Sequence, residues 1–214
     1  MKDLYIVGAG GLGKDIVWLV ERINQVQPTW DLKGFLDDGK MLNEEINGYK
    51  VLGGCEYLAS VEKESWVVCA VANTKVRRKI IASLSKYLNI KFPVLIDPNV
   101  TLSSLVKIGE GSIICAGTIG TVNIEIGSFA IICLNCTLGH DLFMEDYVTV
   151  YPSVTISGNV YVEEGAELGT GTKIIQGKKI GKEAMIGAGS VVVKDVPAKC
   201  TAVGVPAKPI KFYE

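Results

Sequence analysis

The order of apolar and polar residues changes character near residue 92. Before it, buried-strand runs alternate with helix-period runs. "LYIV" (4–7) is an uninterrupted apolar strand. "GKDIVWLVERI" (13–23) places Ile16, Val17, Leu19, Val20 and Ile23 on one helix face. "LKGFLDD" (32–38) is a strand running into acid, and "KVLGG" (50–54) is a short one, with a short helix expected over 56–61. "SWVVCAVA" (65–72) is a buried strand, and "KVRRKIIASLSKY" (75–87) is a helix with a cationic first turn. Strands alternating with helices predict a small parallel sheet, a half-size doubly wound domain over residues 1–92.

After "FPVLIDPNV" (92–100) the period becomes six. Every sixth position from Leu102 to Val192 is apolar except Gly120. The position two before the apolar slot is mostly small or β-branched, as at Ser112, Thr118, Ala130, Cys136, Val148, Val154, Ala166, Thr172, Ala184 and Ser190. Six fits neither a helix nor an ordinary strand. It fits a solenoid whose coil is a triangle of three short strands, eighteen residues per turn, with the repeated apolar residue pointing inward and stacking on its copies. Glycine follows the slot at 109, 127, 139, 169, 181 and 187, and is expected to make the tight corners. Residues 93–214 thus read as one repetitive domain closed by a tail.

Composition narrows the partners. The 22 basic and 23 acidic residues leave a formal net charge of −1, so nothing in bulk attracts nucleic acid or an anionic membrane. No apolar run is long enough to span a bilayer, and the N-terminus lacks a signal-peptide pattern, so a cytoplasmic location is expected. The six cysteines are spread along a chain able to fold without staples, so free thiols are expected.

The candidate chemistry clusters in "ICLNCTLGHDLFMEDYVTV" (132–150), which holds the only histidine. Cys133 and Cys136 form a CxxC, but a structural zinc site wants four ligands and no second pair accompanies them, so no metal is expected. Register puts Cys136 in a small inward slot as core filler. It also puts Gly139 at a corner with His140 just after it, facing outward. Gly158 follows eighteen residues later, one coil on. Neutral imidazole can take a proton from an attacking nucleophile, Asp141 can orient the ring, and a free Gly158 N–H can stabilise an oxyanion. A lone surface histidine without chemistry is the plain alternative.

At the other end, "GAGGLG" (8–13) lies between a strand and a helix. It fits a dinucleotide fingerprint, a purely structural turn, or a nucleotide-diphosphate-sugar site. Against a dinucleotide, the stretch where the ribose-binding acid belongs reads "VQPT" (26–29), and the first acids after a strand are Asp37 and Asp38. Arg77 and Arg78 could meet phosphate or could be plain solvated charges.

The six-residue run, together with "YIVGAGGLGKDIVWLV", "GFLDD", "LNCTLGHDLFMEDYVTVYPSVTISGNVYV" and "IGAGSVVVKDVPAKCTAVGVPAK", resembles the hexapeptide-repeat sugar O- and N-acyltransferases of the sialic-acid and bacillosamine type. That resemblance implies a Rossmann-like domain followed by a left-handed parallel β-helix. It implies acetyl-CoA as donor, a homotrimer with inter-subunit active sites, His140 as general base with the acid after it, and the Gly158 N–H for the thioester oxygen. The family often has Glu where this chain has Asp141. By the same resemblance, Gly8, Gly10, Gly11, Asp37 and Asp38 would hold a nucleotide-linked sugar acceptor, and Asn73, which follows a buried strand at the same sheet edge, is expected to join them. Gly171, Lys173, Ala188 and Gly189 would line the path of the donor. N-acetylation of a nucleotide-linked amino sugar is the favoured reaction. O-acetylation of a sialic acid or another sugar hydroxyl, acetylation of a small molecule such as serine, and a non-catalytic β-helix scaffold are the alternatives.

Overall fold

In the computed structural model, which describes residues 1–213, the six-residue period becomes a triangular coil of short parallel strands, a left-handed β-helix. Strand partners lie eighteen residues apart on all three faces: Ile113 with Ile131, Thr137 with Thr155, and Phe143 with Tyr161. Most inward slots are sealed, among them Ile114, Ile132, Leu138, Val150, Ile174 and Val192, each 1% exposed or less. Burying one such side chain contributes about 1.5–3 kcal/mol, so a stack of them supplies the driving force that no single coil could. Gly120, the one slot without a side chain, is filled from the coil below: a Cβ there would lie 2.6 Å from Leu102 Cδ2.

Most positions two before the slots are buried as completely. Their polar members are satisfied by a repeated device. Ser112 Oγ donates to the Gly127 carbonyl at 2.9 Å, Thr118 Oγ1 to Cys133 at 3.2 Å and Thr172 Oγ1 to Gly187 at 3.2 Å, each fifteen residues ahead. Cys136 joins the pattern, its thiol reaching the Tyr151 carbonyl at 3.3 Å. Burial raises that thiol from 9.0 to about 11, which makes it an inert core group. Cys133 is only half-buried, so the CxxC points its two sulfurs into different surroundings.

The corners correct the expectation about glycine. The left-handed residue is three after the slot, not one after it: Asn123, Phe129, Asn135, Asp141, Tyr147, Ser153, Asn159 and Glu183 all have φ between 55° and 61°, and glycine takes the same place at 111, 117, 165, 171, 177 and 189. The glycine directly after the slot serves close approach instead. A Cβ on Gly139 would lie 2.6 Å from Gly158 N, and one on Gly127 would lie 2.6 Å from Asp146 N. Adjacent coils therefore touch backbone to backbone beside these corners; at Gly187 the Val203 side chain fills the space instead.

The chain divides into Met1–Pro98 and Asn99–Glu214. The division falls six residues beyond the change of period, because the buried Asp97 carboxylate takes two hydrogen bonds from Arg22, at 2.6 and 3.0 Å, within the first unit. That unit contains β1 (Lys2–Val7), α1 (Gly11–Val26), β2 (Trp30–Leu36), β3 (Glu45–Ile46), β4 (Tyr49–Gly53), a 3-10 turn (Cys55–Ser60), β5 (Ser65–Cys69), α2 (Thr74–Leu84) and β6 (Ile90–Lys91). The sheet order is β3-β4-β2-β1-β5-β6, parallel except for the β3–β4 hairpin. That hairpin turns on Asn47 and Gly48, at φ 50° and 80°. The strand expected over 65–72 stops at Cys69, and residues 70–72 run instead as a loop past Gly8.

Candidate active site

His140 and Asp141 form one corner of the β-helix. Coil-to-coil hydrogen bonds fix the backbone on both sides: Asp141 N donates to the Val122 carbonyl at 3.1 Å, and Asn159 N to the His140 carbonyl at 2.8 Å. The left-handed turn at Asp141, φ 57°, lets neighbouring side chains meet. His140 Nδ1 lies 2.7 Å from Asp141 Oδ2. A carboxylate on Nδ1 selects the tautomer with its proton there and leaves the Nε2 lone pair free. The Asp141 carboxyl is held below its ordinary value, first by His140 and then by Asn123, whose amide donates to Oδ1 at 3.1 Å. The imidazole is half exposed.

Gly158 is directly stacked on this ring. A Cβ at 158 would lie 2.4 Å from both Cε1 and Nε2 of His140, so the ring occupies the space that any side chain there would need. Among the described residues no acceptor takes the Gly158 N–H. A proton acceptor and a bare amide donor thus stand side by side at an open corner, the pair of groups that acyl transfer from a thioester uses. A hollow of about 430 Å³ reaches the same corner from the Asp141 side, lined by Asn123, Asp141, Leu142, Phe143, Lys107 and Glu125 among others.

The first unit holds a second cleft, of about 220 Å³, at the ends of β1 and β2, with Gly8, Asp37, Asp38, Cys55, Val71 and Ile80 in its wall. Gly8 has φ 97°, and a Cβ on it would lie 3.0 Å from the Ala70 carbonyl oxygen. Gly10 and Gly11 face open space at the start of α1, where backbone N–H groups suit a phosphate. Gly13 completes the motif by packing α1 on the loop, since a Cβ there would meet Gly8 O at 2.1 Å. The two acids divide their work. Asp37 accepts from Ala9 N and Gly39 N, both at 2.8 Å, and so clamps the glycine loop. Asp38 is exposed, and its carboxylate takes no hydrogen bond among the described residues. Asn73 caps α2, its Oδ1 accepting from Val76 N at 3.0 Å, which leaves its amide nitrogen for a ligand. Arg77 is no solvated charge: it is 1% exposed and donates to the Val71 and Ala72 carbonyls at 2.7 and 2.8 Å, holding the loop beside Gly8. The Cys55 thiol beside the acids is raised to about 11, by burial first and then by Asp38.

Exchanging each acid for its amide separates the two roles. Asp37→Asn is expected to lower thermal stability and acceptor binding together, and Asp38→Asn to raise the acceptor KM with an unchanged melting curve. Melting temperature and acceptor KM measured on both variants check this.

The residues expected on the donor path lie at a different corner. Gly171 and Gly189 are stacked left-handed residues, at φ 72° and 69°, and a Cβ on either would meet nothing within 4 Å. Ala188 and Lys173 beside them are exposed. The face that carries Thr137, Thr155 and Lys173 separates this corner from His140.

A β-helix of hexapeptide repeats with an exposed imidazole–carboxylate pair beside a free backbone N–H defines the hexapeptide-repeat acyltransferase class. Relatives agree along the whole chain. Over 217 residues it is 31% identical to GDP-perosamine N-acetyltransferase of Escherichia coli O157:H7, covering 98% of this chain and 97% of that one. The acetyltransferase domain of PglB from Neisseria gonorrhoeae FA1090, solved in complex with acetyl coenzyme A, superposes with a TM-score of 0.89 at 32% identity, covering 98% of this chain and 99% of that one. Perosamine N-acetyltransferase from Caulobacter crescentus, solved with CoA and GDP-perosamine, gives a TM-score of 0.90 at 26% identity, covering 99% and 98%. Residues 3–84 match the family model of the PglD N-terminal domain. The chain belongs to the hexapeptide-repeat acyltransferase family that includes the perosamine and PglB-type N-acetyltransferases.

Proposed function

We propose that the protein transfers the acetyl group of acetyl-CoA to the amino group of a nucleotide-linked sugar. The observation that carries this reading is His140 Nδ1 bound to Asp141 at 2.7 Å, with the ring lying over Gly158. The sugar amine attacks the thioester carbonyl carbon while His140 Nε2 takes the amine proton. The Gly158 N–H donates to the oxygen of the tetrahedral intermediate. The C–S bond then breaks, and the imidazolium returns its proton to the departing CoA thiolate. Asp141 keeps the ring oriented and offsets its charge.

The first unit supplies the nucleotide end: Gly10, Gly11 and the α1 N-terminus for phosphate, Asp38 in the cleft wall and the Asn73 amide for the nucleoside. An amine rather than a hydroxyl is taken as the nucleophile because two relatives matched over the full length, from Escherichia coli O157:H7 and Caulobacter crescentus, are perosamine N-acetyltransferases. The donor path runs by Gly171, Lys173, Ala188 and Gly189 of a second copy. On one chain these residues and His140 occupy different corners, which supports a homotrimer whose sites are completed between subunits. Among the described residues no helix is long and apolar enough to cross a membrane. The reaction is assigned to the cytoplasm because acetyl-CoA is an intracellular donor.

The test is release of free CoA thiol from acetyl-CoA across a panel of GDP-, UDP- and dTDP-linked 4-amino sugars and free sialic acids. Turnover on a nucleotide-linked amino sugar is expected. Turnover on sialic acids alone would replace the amine with a hydroxyl, and no turnover on any member would refute the reading.

A further inference from the structure

Asp141 has two oxygens and two partners. Oδ2 faces the imidazole, and Oδ1 accepts from Asn123 Nδ2 at 3.1 Å. Asn123 stands eighteen residues before Asp141, one coil below it at the same corner, with φ 56° against 57°. We infer that Asn123 is a positioning residue for the general base: it fixes the Asp141 carboxylate so that the other oxygen stays on His140 Nδ1. This rests on the general-base reading of His140.

The need for such a brace follows from exposure. The Asp141 side chain is 45% accessible, and a solvated carboxylate held at one oxygen turns readily about its last torsion. A second hydrogen bond from a neutral donor removes that freedom without competing for the imidazole proton. The direction of the amide is set chemically, since its oxygen would repel the carboxylate. The left-handed backbone suits the residue type as well, because asparagine tolerates this conformation better than most. The local charges point the same way. Above and below the ring stand Gly158 and Val122, both neutral, and Asn159 lies over Asp141. On the adjoining face Lys107 and Glu125 line the same hollow and are paired to each other at 2.7 Å. Asp141 is therefore the charge that His140 feels most closely, and Asn123 is the group that aims it.

The sequence holds a single histidine, so nitrogen-detected NMR of a tag-free protein reads this imidazole directly and needs no substrate. Asn123→Gly keeps the left-handed turn and deletes the amide. Its kcat is expected to fall about tenfold, with both KM values within about twofold of wild type. In spectra of the neutral ring, the wild-type protein is expected to carry its proton on Nδ1, facing Asp141, and Asn123→Gly to shift toward the tautomer protonated on Nε2, because the carboxylate no longer stays beside Nδ1. Asn123→Asp replaces the amide donor by a carboxylate that repels Asp141, and is expected to lose the Nδ1–H tautomer as well. Loss of that tautomer in both variants supports the inference. An unchanged tautomer in both, whatever happens to the melting temperature, makes Asn123 a structural corner residue and overturns it. Should the glycine variant fail to fold, the aspartate variant decides alone by whether it keeps the Nδ1–H tautomer. The underlying reading fails by a separate result, wild-type turnover in His140→Ala, which leaves the tautomers of the Asn123 variants untouched.

Discussion

Replacing His140 with alanine is expected to lower kcat by on the order of 10²–10⁴-fold, the usual contribution of a positioned proton-transfer group. The substitution leaves the corner itself in place. The ring is half exposed at a corner and carries no part of the core, which is built mainly from the inward slots and the positions two before them. The corner backbone is held by the Asp141–Val122 and Asn159–His140 hydrogen bonds, which involve main-chain atoms alone. Stability, oligomeric state and acetyl-CoA affinity should therefore stay near wild type while turnover is lost. Steady-state kinetics with thermal unfolding and a direct acetyl-CoA binding measurement check all three. A variant that unfolds, or one that turns over normally, contradicts the assignment.

Gly158→Ala is the more revealing change, and its effect should approach that of losing the histidine. The added methyl would lie 2.4 Å from two ring atoms, a separation that real Cβ atoms essentially never show. Something must shift, and the exposed imidazole gives way more easily than a backbone bonded on both sides. Gly158 O accepts from Gly177 N at 3.0 Å, and Asn159 N is tied to the coil below at 2.8 Å. The ring swings off its position over residue 158, lengthens its hydrogen bond to Asp141 and covers the N–H meant for the oxyanion. One methyl group thus removes a base and a donor together, and loss of a single oxyanion donor alone commonly costs about 10²–10³ in kcat. The variant should keep its melting temperature to within a few degrees. A kcat within threefold of wild type would mean that the ring and this amide do not act as a pair.

Much of this architecture was legible in one number. Counting by six gave the inward slots, and counting by eighteen from His140 reached Gly158. The same step backward from Asp141 reaches Asn123, so that brace was within reach of the pattern as well. Other features were hidden for physical reasons. Asn47–Gly48 is a plain hairpin signal, but the strands it joins are too short to stand out. The left-handed corners could not be inferred from glycine, because Phe129, Tyr147 and Glu183 occupy them too. A left-handed turn costs such residues roughly 1–2 kcal/mol, a cost offset by bonds that exist only once coils have stacked. Phe129 N donates to Glu110 O at 2.8 Å, and the Phe129 ring stacks on Tyr147 at 5.3 Å. The division of labour between Asp37 and Asp38 was equally invisible. Both follow the same strand, and only the fold brings Ala9 N to the first of them. Arg77 looks on paper like any helix-surface cation, and its burial is a property of the loop it supports.

The stacked corners also limit how this fold can change in length. Each six-residue unit is one face of the triangle, so inserting or deleting a single unit between His140 and Gly158 would rotate everything downstream by a third of a turn. The glycine would leave its place over the imidazole, although every apolar slot would still point inward and the core would remain closed. Only a whole coil of eighteen preserves the facing of the later residues, and even that, placed between these two, would set another residue over the ring. The hydrophobic interior is indifferent to such edits and the chemistry is not. Insertions between residues 140 and 158 are therefore filtered by activity long before they are filtered by folding.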